Sequence, residues 1–369
     1  MVVLGIVIAG VVLWNAGDLR FQYDFGKLEP SFPKYEEFSK LSGQVSTGTK
    51  RNPAYIIADD DKQVQQLLEV LRQRANVDSL SPTIASIEAL QERFPLSERD
   101  KEDKLQKIKY IRELLADPLL INETSDDFER LRRASQTTTA LTIEQVPDYL
   151  QAQFVSKDGE IGRFVIVYPS VGLSDGKQSI AFKDDVSEIV LPNGTTKYAA
   201  STSIVAASML DLMRSESPYM VGATFVIVFL FMLFTFRSIK WSIIAMLPLM
   251  IGLLFLFGIM LLTGFQFNFY NLVVLPAILG IGEDSGVHLA YRYREEGKKR
   301  LAVVLASTGQ HITMGSFTTM LGFAGLLFTA HPGLQSLGIM ALLGIGMTLV
   351  TSLTFLPALL QWLELKGKI

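Results

Sequence analysis

The run from Asn268 to Arg294 is apolar over most of its length, yet it carries Glu283 and Asp284 side by side near its middle. A run of this length can cross a hydrocarbon core of about 30 Å, which takes roughly 20 helical residues. A charged side chain near a bilayer centre costs about 2.5–3.5 kcal/mol on insertion scales, so two adjacent acids are not neutral filler there. They need a function or a partner. On an α-helix Asp284 and His288 stand one turn apart on one face with Ser285 beside them. Gly282 and Gly286 form a small-residue seam that lets a neighbouring helix approach closely. The spacing therefore directs titratable groups toward another helix rather than toward lipid.

At 49% hydrophobic residues and a mean hydropathy of +0.30, the chain is too apolar for an average soluble protein. With 19% charged residues it is too polar to be membrane throughout, so it divides into a membrane part and a soluble part. A net charge of −3 gives no reason to expect a nucleic-acid partner. The absence of cysteine removes disulfides and thiolate metal sites from consideration.

Residues 1–14 are continuously apolar but short of a full span, which reads as a truncated first transmembrane helix over 1–16. A signal peptide is the rival reading, but the stretch lacks a basic start and has a poor cleavage site. Residues 17–217 have the composition of a soluble α/β domain. Strands are predicted at Arg20–Phe25, Ala54–Ala58, Gly162–Tyr168 and Thr195–Thr202. Helices are predicted at Lys34–Leu41, Asp60–Arg74, Glu98–Ala116, Asp126–Ser135, Gly176–Val190 and Ile204–Arg214. Asp60 and Asp61 ahead of Val64, Leu67, Leu68 and Leu71 make a strong helix start. The alternation suggests two split βαβ units on one sheet, with a helical insertion over 84–150.

From 218 to 369 the chain reads as a five-helix bundle with spans at 219–236, 241–263, 265–291, 312–330 and 334–360, and a short interfacial helix at Leu301–Ser307. The expected fold class is thus a multi-pass α-helical membrane protein of about six transmembrane helices with an α/β domain outside the bilayer. Lys and Arg concentrate in 237–240, 292–300 and the tail, while Gly264–Asn268 and His331–Gly333 carry none. By the positive-inside rule the basic loops are cytoplasmic and the soluble domain lies on the other side.

Three stretches carry a family resemblance. Gly280-Ile-Gly-Glu-Asp-Ser-Gly-Val-His-Leu-Ala-Tyr-Arg-Tyr-Arg-Glu-Glu296 closely resembles the signature of the fourth and tenth helices in resistance-nodulation-division (RND) transporters of the MmpL, hopanoid-exporter and Patched-like branch. Ser316-Phe-Thr-Thr-Met-Leu-Gly-Phe323 is similar to that branch's Thr-Thr-x-x-Gly-Phe motif, and Leu19-Arg-Phe-Gln-Tyr-Asp-Phe25 to the strand after the first helix of each half. The resemblance implies a porter-like outer domain, a place in the inner membrane with that domain in the periplasm, and export of hydrophobic or lipid molecules driven by protons. It puts the proton-binding carboxylate on Asp284, and implies a second RND half, either another copy or a separate chain. The sequence departs from the pattern at Glu283, where valine is usual, at Ser285, where tyrosine is common, and in having one half rather than two.

Each of these residues also has a plainer reading. Asp284 can be a structural carboxylate paired across helices, but intramembrane acids are functional by default. Glu283 points about 100° away from it. His288 is a residue type suited to proton transfer and so a candidate relay member, or is simply polar near the cytoplasmic end. Thr318 and Thr319, with Gly315 and Gly322 nearby, combine small-residue packing with hydroxyls able to serve the carboxylates. Gly280, Gly282 and Gly286 follow no strand, which removes a phosphate loop. A metal held by Asp284 and His288 lacks further ligands nearby, and no cofactor is implied. The basic residues after Tyr291 set topology and can touch anionic lipids. Two alternatives from other classes are a sterol-sensing-like lipid-binding scaffold without transport, and a SecD/SecF-type translocation accessory; no enzyme is indicated.

Topology is directly testable. A cysteine introduced at Lys157 should react with an impermeant thiol reagent in intact cells, whereas one at Lys299 should stay protected; the reversed pattern would invert the orientation.

Overall fold

The computed structural model describes residues 2–30, 32, 52–77, 83–93, 98–117, 125–139 and 154–369. The chain divides into two compact units, one of Met1–Val45, Ser174–Gly176 and Ser208–Ile369, the other of Ser46–Leu173 and Lys177–Ala207. The helix expected at Lys34–Leu41 lies outside the described residues, as does the segment 140–153.

In the second unit, strands β1 (Ala54–Ile57), β2 (Ile84–Ala89), β3 (Phe164–Pro169), β4 (Glu188–Val190) and β5 (Thr196–Ala200) make one sheet in the order β2-β3-β1-β5-β4. All pairings are antiparallel. β3 lies between β1 and β2, and β1 lies between β3 and β5, so each βαβ pass is split by a strand of the other. β1 buries Ala54 and Ile56 and exposes Tyr55 and Ile57, the two-residue period of a sheet covered on one face. Helix α2 (Asp61–Val77) supplies that cover through Val64, Leu67, Leu68 and Leu71, packed with Ile56, Val165 and Val167. Its first turn is capped as the sequence indicates, Asp60 Oδ1 accepting from the Gln63 amide at 2.7 Å. Helices α3 (Glu98–Leu115) and α4 (Asp126–Ser135) follow at the expected places, and α5 (Gly176–Val186) sends Phe182 and Val186 into the same core.

Three local readings need correction. The segment expected to be a wholly helical insertion opens with β2, which hides because only Ala89 of its six residues is buried and its register shifts between Ile84 and Ser86. The helix expected to reach Val190 stops at Val186, because the Asn193-Gly194 turn (Gly194 φ +80°) folds β4 back onto β5. Arg20–Phe25 forms only isolated bridges, Phe21 with Phe267 and Asp24 with Asp175. Asp24 Oδ1 instead accepts from the Gly26 amide and starts a 3₁₀ turn over Phe25–Lys27.

The first unit is helical: α1 (Val2–Trp14), α6 (Thr202–Phe236) from Ser208 onward, α7 (Ile239–Thr263), α8 (Val274–Glu296), α9 (Gln310–Ala324) and α10 (Pro332–Leu365). Among the described residues, four helical rods are long and apolar enough to cross a membrane: Thr202–Phe236, Ile239–Thr263, Leu301–Phe328 and Pro332–Leu365. α1 is too short by that measure, and α8, with its charged residues, is not among the four. The helices expected at Ile204–Arg214 and 219–236 are one helix through Pro218, since a proline removes one donor and kinks a helix more readily than it ends one. Leu301–Ser307 is not a separate helix; it leads through a π turn at Leu305–Gly309 into α9.

The span expected to begin at Phe265 begins instead at Val274. Asn268 and Asn271 are buried and rewire the preceding loop: Asn268 Oδ1 accepts from the amides of Tyr270 and Asn271, and Asn271 Oδ1 accepts from that of Asn268 at 2.8 Å. Asn268 Nδ2 then donates to Ser336 Oγ of α10 at 2.7 Å, tying the loop to the bundle. Local side-chain hydrogen bonds of this kind compete directly with a helix.

One surface pair in the sheet unit gives a pH prediction. Lys197 Nζ lies 2.7 Å from Asp59 Oδ1, and Gln63 Nε2 donates to Asp59 Oδ2. Those two contacts hold the Asp59 carboxyl below its ordinary range. A lowered folded-state value means stabilisation that is present above the unfolded value, about 3.9, and lost as pH falls through the folded one. Asp59→Asn should therefore lower the melting temperature slightly at pH 7, with the gap to the parent closing on acidification below about pH 4. A gap that is constant with pH would mean the charge is not responsible.

Candidate functional site

α8 has two faces of different chemistry. Leu275, Ile278, Leu279, Gly282, Ser285, Gly286, Leu289, Ala290 and Tyr293 are buried, whereas Gly280, Asp284, His288 and Tyr291 are exposed along one stripe. The buried face is cut for close approach. A Cβ at Gly286 would run into the Ala245 carbonyl of α7. One at Gly282 would lie 3.0 Å from Thr348 Oγ1 of α10 and 3.1 Å from Leu249 of α7. α7 and α10 meet at the same level, where a Cβ at Gly252 would stand 2.8 Å from Thr348 Cα. Thr351 Oγ1 donates to the Pro248 carbonyl at 2.7 Å, joining the same two helices. Small residues and hydroxyls take the place that large apolar side chains hold in a soluble core.

The basic end of α8 is fixed separately. Arg294 Nη1 donates to the Phe236 carbonyl at 2.7 Å and its guanidinium sits 5.9 Å from the Trp241 ring. Tyr293 Oη donates to Glu364 Oε2 at 2.6 Å, while Glu364 Oε1 accepts from the Lys299 amide. With its glycine seam and basic end both held, α8 has little freedom to rotate, and the exposure of Asp284 is a property of the packing.

The sequence-derived residues fall into three groups. Asp284 and His288 share the exposed stripe on the side of α8 opposite the Gly282–Gly286 seam, so the expectation that this spacing directs them toward another helix is corrected: the close helix approach is made by the glycines and leaves these two facing outward. Glu283 is half-buried, and its Oε2 is enclosed without a hydrogen-bond partner among the described residues. Neither acid has an ion-pair partner among them. Ser285 is buried and reaches α9, its Oγ 3.5 Å from Ser316 Oγ. Thr318 and Thr319 donate to their own helix, to the carbonyls of Met314 at 2.9 Å and Gly315 at 3.1 Å, and make no hydrogen bond to either acid among the described residues. Of the glycines, 282 and 286 meet neighbouring helices, while a Cβ at Gly280, Gly315 or Gly322 would meet nothing within 4 Å. Gly280 with Asp284 and His288 on α8, and Gly315, Thr318 and Gly322 on α9, thus present small and polar groups away from the bundle interior.

Sequence reasoning passed over Ser316, Thr348 and Ser352. Ser352 is fully buried and its Oγ has no partner among the described residues. Ser316 stands two residues before the paired threonines, so the motif carried it; nothing local marks Thr348 as the neighbour of Gly282, because that depends on how α10 crosses α8.

A profile of the MMPL family matches residues 47–365. The chain is 29% identical over 206 residues to a membrane protein of Methanocaldococcus jannaschii, MJ1562, covering 53% of each chain. It is 25% identical over 245 residues to the hopanoid transporter HpnN of Rhodopseudomonas palustris, covering 66% of this chain and 26% of that one. To the siderophore exporter MmpL5 of Mycobacterium tuberculosis it is 26% identical over 201 residues, 51% of this chain and 21% of the other. The match therefore spans about half the length of the archaeal relative and about a quarter of the hopanoid transporter.

The two classes of glycine should separate by sign. Gly280→Ala should leave the melting temperature unchanged or raise it, since alanine is better than glycine in a helix interior by about 1 kcal/mol. Gly286→Ala must push against a backbone carbonyl and should cost about 1–3 kcal/mol despite that gain. Thermal unfolding in detergent followed by circular dichroism reads both, and equal behaviour would remove the seam from the account.

Proposed function

The chain belongs to the MMPL family, and on that premise we propose that it exports hydrophobic or amphiphilic molecules, lipids foremost, driven by protons exchanged at Asp284 in the inner membrane. The MMPL family is a transporter family, and two relatives are named as a hopanoid transporter and a siderophore exporter. The observation that carries the proton step is the pair of acids within α8, neither with an ion-pair or hydrogen-bond partner among the described residues. A structural ion pair across helices needs a basic partner on another helix, and among the described residues Asp284 has none; the basic group beside it is His288, one turn away on α8 itself. A carboxylate held near the bilayer without a fixed counter-charge is free to take up and release a proton.

In this reading Asp284 is the exchanging group, with His288 one turn away on the same stripe as the next acceptor toward the basic end. Glu283 shares the charge load as a coupled neighbour, and Ser285 with Ser316 links α8 to α9 so that a change at the acids moves both helices. The exposed stripe of α8 and the bare glycines of α9 face a second RND half, a second copy or a separate chain, and the sheet unit lies outside the inner membrane, where it handles substrate. The unpartnered polar stripe also fits a lipid-binding scaffold without transport, which the same experiment separates.

That experiment is Asp284→Asn in reconstituted vesicles. The substitution keeps size and most hydrogen bonding but cannot exchange a proton. Proton-coupled flux should fall to background while the melting temperature stays level or rises, since removing a charge from a membrane helix eases its insertion by about 2.5–3.5 kcal/mol. A structural pair predicts instead a loss of about 3–5 kcal/mol and poor accumulation. Glu283→Gln should be milder if Asp284 alone exchanges, and equally severe if the two acids titrate together. Full flux through a well-folded Asp284→Asn protein would remove the relay.

A further inference from the structure

Apart from the acids, the first unit contains a cleft of about 980 Å³ between α1 and α7, with Met347 of α10 also lining it. It is large enough for a small amphiphile by the usual range of ligand pockets, about 300–1,000 Å³. Its floor is apolar, built from Val7, Val11, Phe255 and Ile259. Along α1 it extends from Val7 to Asn15, roughly 12 Å at 1.5 Å rise per residue, so an extended acyl chain can lie along it. Its rim is polar: Asn15, Asp18, Arg20 and Gln266.

The rim is built rather than loose. The Phe267 amide donates to the Arg20 carbonyl at 2.9 Å and the Gln22 amide donates to the Phe267 carbonyl at 2.7 Å, which pins the segment carrying Arg20 to the loop carrying Gln266. Lower down, α1 rests on α7 where a Cβ at Gly258 would lie 3.0 Å from Val12 Cγ2, and on α10 where one at Gly5 would lie 3.0 Å from Phe355. Asp18 and Arg20 are both exposed, and neither has an ion-pair partner among the described residues. Trp14, 90% exposed at the end of α1, marks this level as the depth of lipid headgroups. Among the described residues the cleft therefore offers an apolar trough ending at a cation, Arg20, and an anion, Asp18, that make no ion pair.

We infer that the α1–α7 cleft binds a zwitterionic phospholipid, an acyl chain along Val7 and Val11, its phosphate on Arg20 and its ammonium on Asp18. Charge complementarity selects this occupant. A lipid with net negative charge would satisfy Arg20 and be repelled by Asp18, whereas one that carries both charges satisfies both, and guanidinium to phosphate is a strong charge-assisted pairing. The site goes beyond the proton relay and stands or falls independently of it, because binding is read without transport.

The test is native mass spectrometry of the purified full chain in mild detergent, after incubation with phosphatidylethanolamine or phosphatidylglycerol of matched chains. One phosphatidylethanolamine should be retained in preference to phosphatidylglycerol by about tenfold or more. Arg20→Gln should lower its retention by a similar factor. Asp18→Asn leaves a net positive rim and should reverse the preference toward phosphatidylglycerol, a change that a merely structural role for Asp18 would not produce. Val11→Trp should fill the trough and reduce retention of both lipids, while Lys298→Gln in the distant basic loop should change neither. Equal retention of the two lipids by the parent, an unchanged preference in Asp18→Asn, or full retention in Val11→Trp would each overturn the site. So would a protein that retains no lipid because a second copy of the chain covers α1.

Discussion

The architecture of the helical unit depends on the contact of Gly282 and Gly286 with α7 and α10. In lipid no hydrophobic force draws helices together, so association rests on close van der Waals packing and a few interhelical hydrogen bonds. The Ala245 carbonyl, Leu249 and Thr348 occupy the space that side chains on α8 would otherwise fill. That approach sets the rotation of the helix. Once Gly282 and Gly286 face inward, the 100° step of an α-helix leaves Asp284 and His288 on the opposite side. The same contact that holds the bundle together thus exposes the acid, and the two properties of the motif are not separable.

This division explains why the glycines of one motif differ so much in their surroundings. Those at 282 and 286 are filled by neighbouring atoms, and those at 280, 315 and 322 are bare. Bare glycines beside an exposed carboxylate make a surface on which another helix can lie close, with the acid enclosed between them. A carboxylate left facing hydrocarbon would be expensive, whereas one between two helices can be served by water or by hydroxyls of a partner. Ser285 and Ser316 approach to 3.5 Å, so the two helices contributing to that surface are in contact within this chain.

How much was legible in the sequence follows the range of the interaction involved. Helix α2 was legible because its start signal and its apolar spacing are local, and Val64, Leu67, Leu68 and Leu71 are all buried where the period puts them. β2 was not, because a strand with one buried residue lacks the alternation that identifies strands. The loop before α8 was missed because Asn268 and Asn271 read as tolerated polar residues in an apolar run; their effect comes from bonding each other's backbone and, through Ser336, a helix distant in sequence. Asp284, Glu283 and the glycine seam were visible as anomalies within an apolar background. Thr348, the neighbour of Gly282, was not, since an ordinary hydroxyl in an apolar helix gains meaning only from what crosses it.

The polar rim at Asp18 and Arg20 belongs to the same logic. Where α1 gives way to the 3₁₀ turn at Ala16–Asp18, the end of α7 beyond the Gly258–Val12 contact is less covered, and Leu262 is 89% exposed. Backbone pairing of Arg20 and Gln22 with Phe267 then returns the chain to α7 just above that gap. The cleft is therefore a consequence of where α1 ends and of where the chain is pinned, and the charges fall at its mouth because the polar segment begins as soon as the helix ends. The exposed acid and the polar rim arise from the same device: small residues or a helix end leave room, and polar groups stand where the room opens.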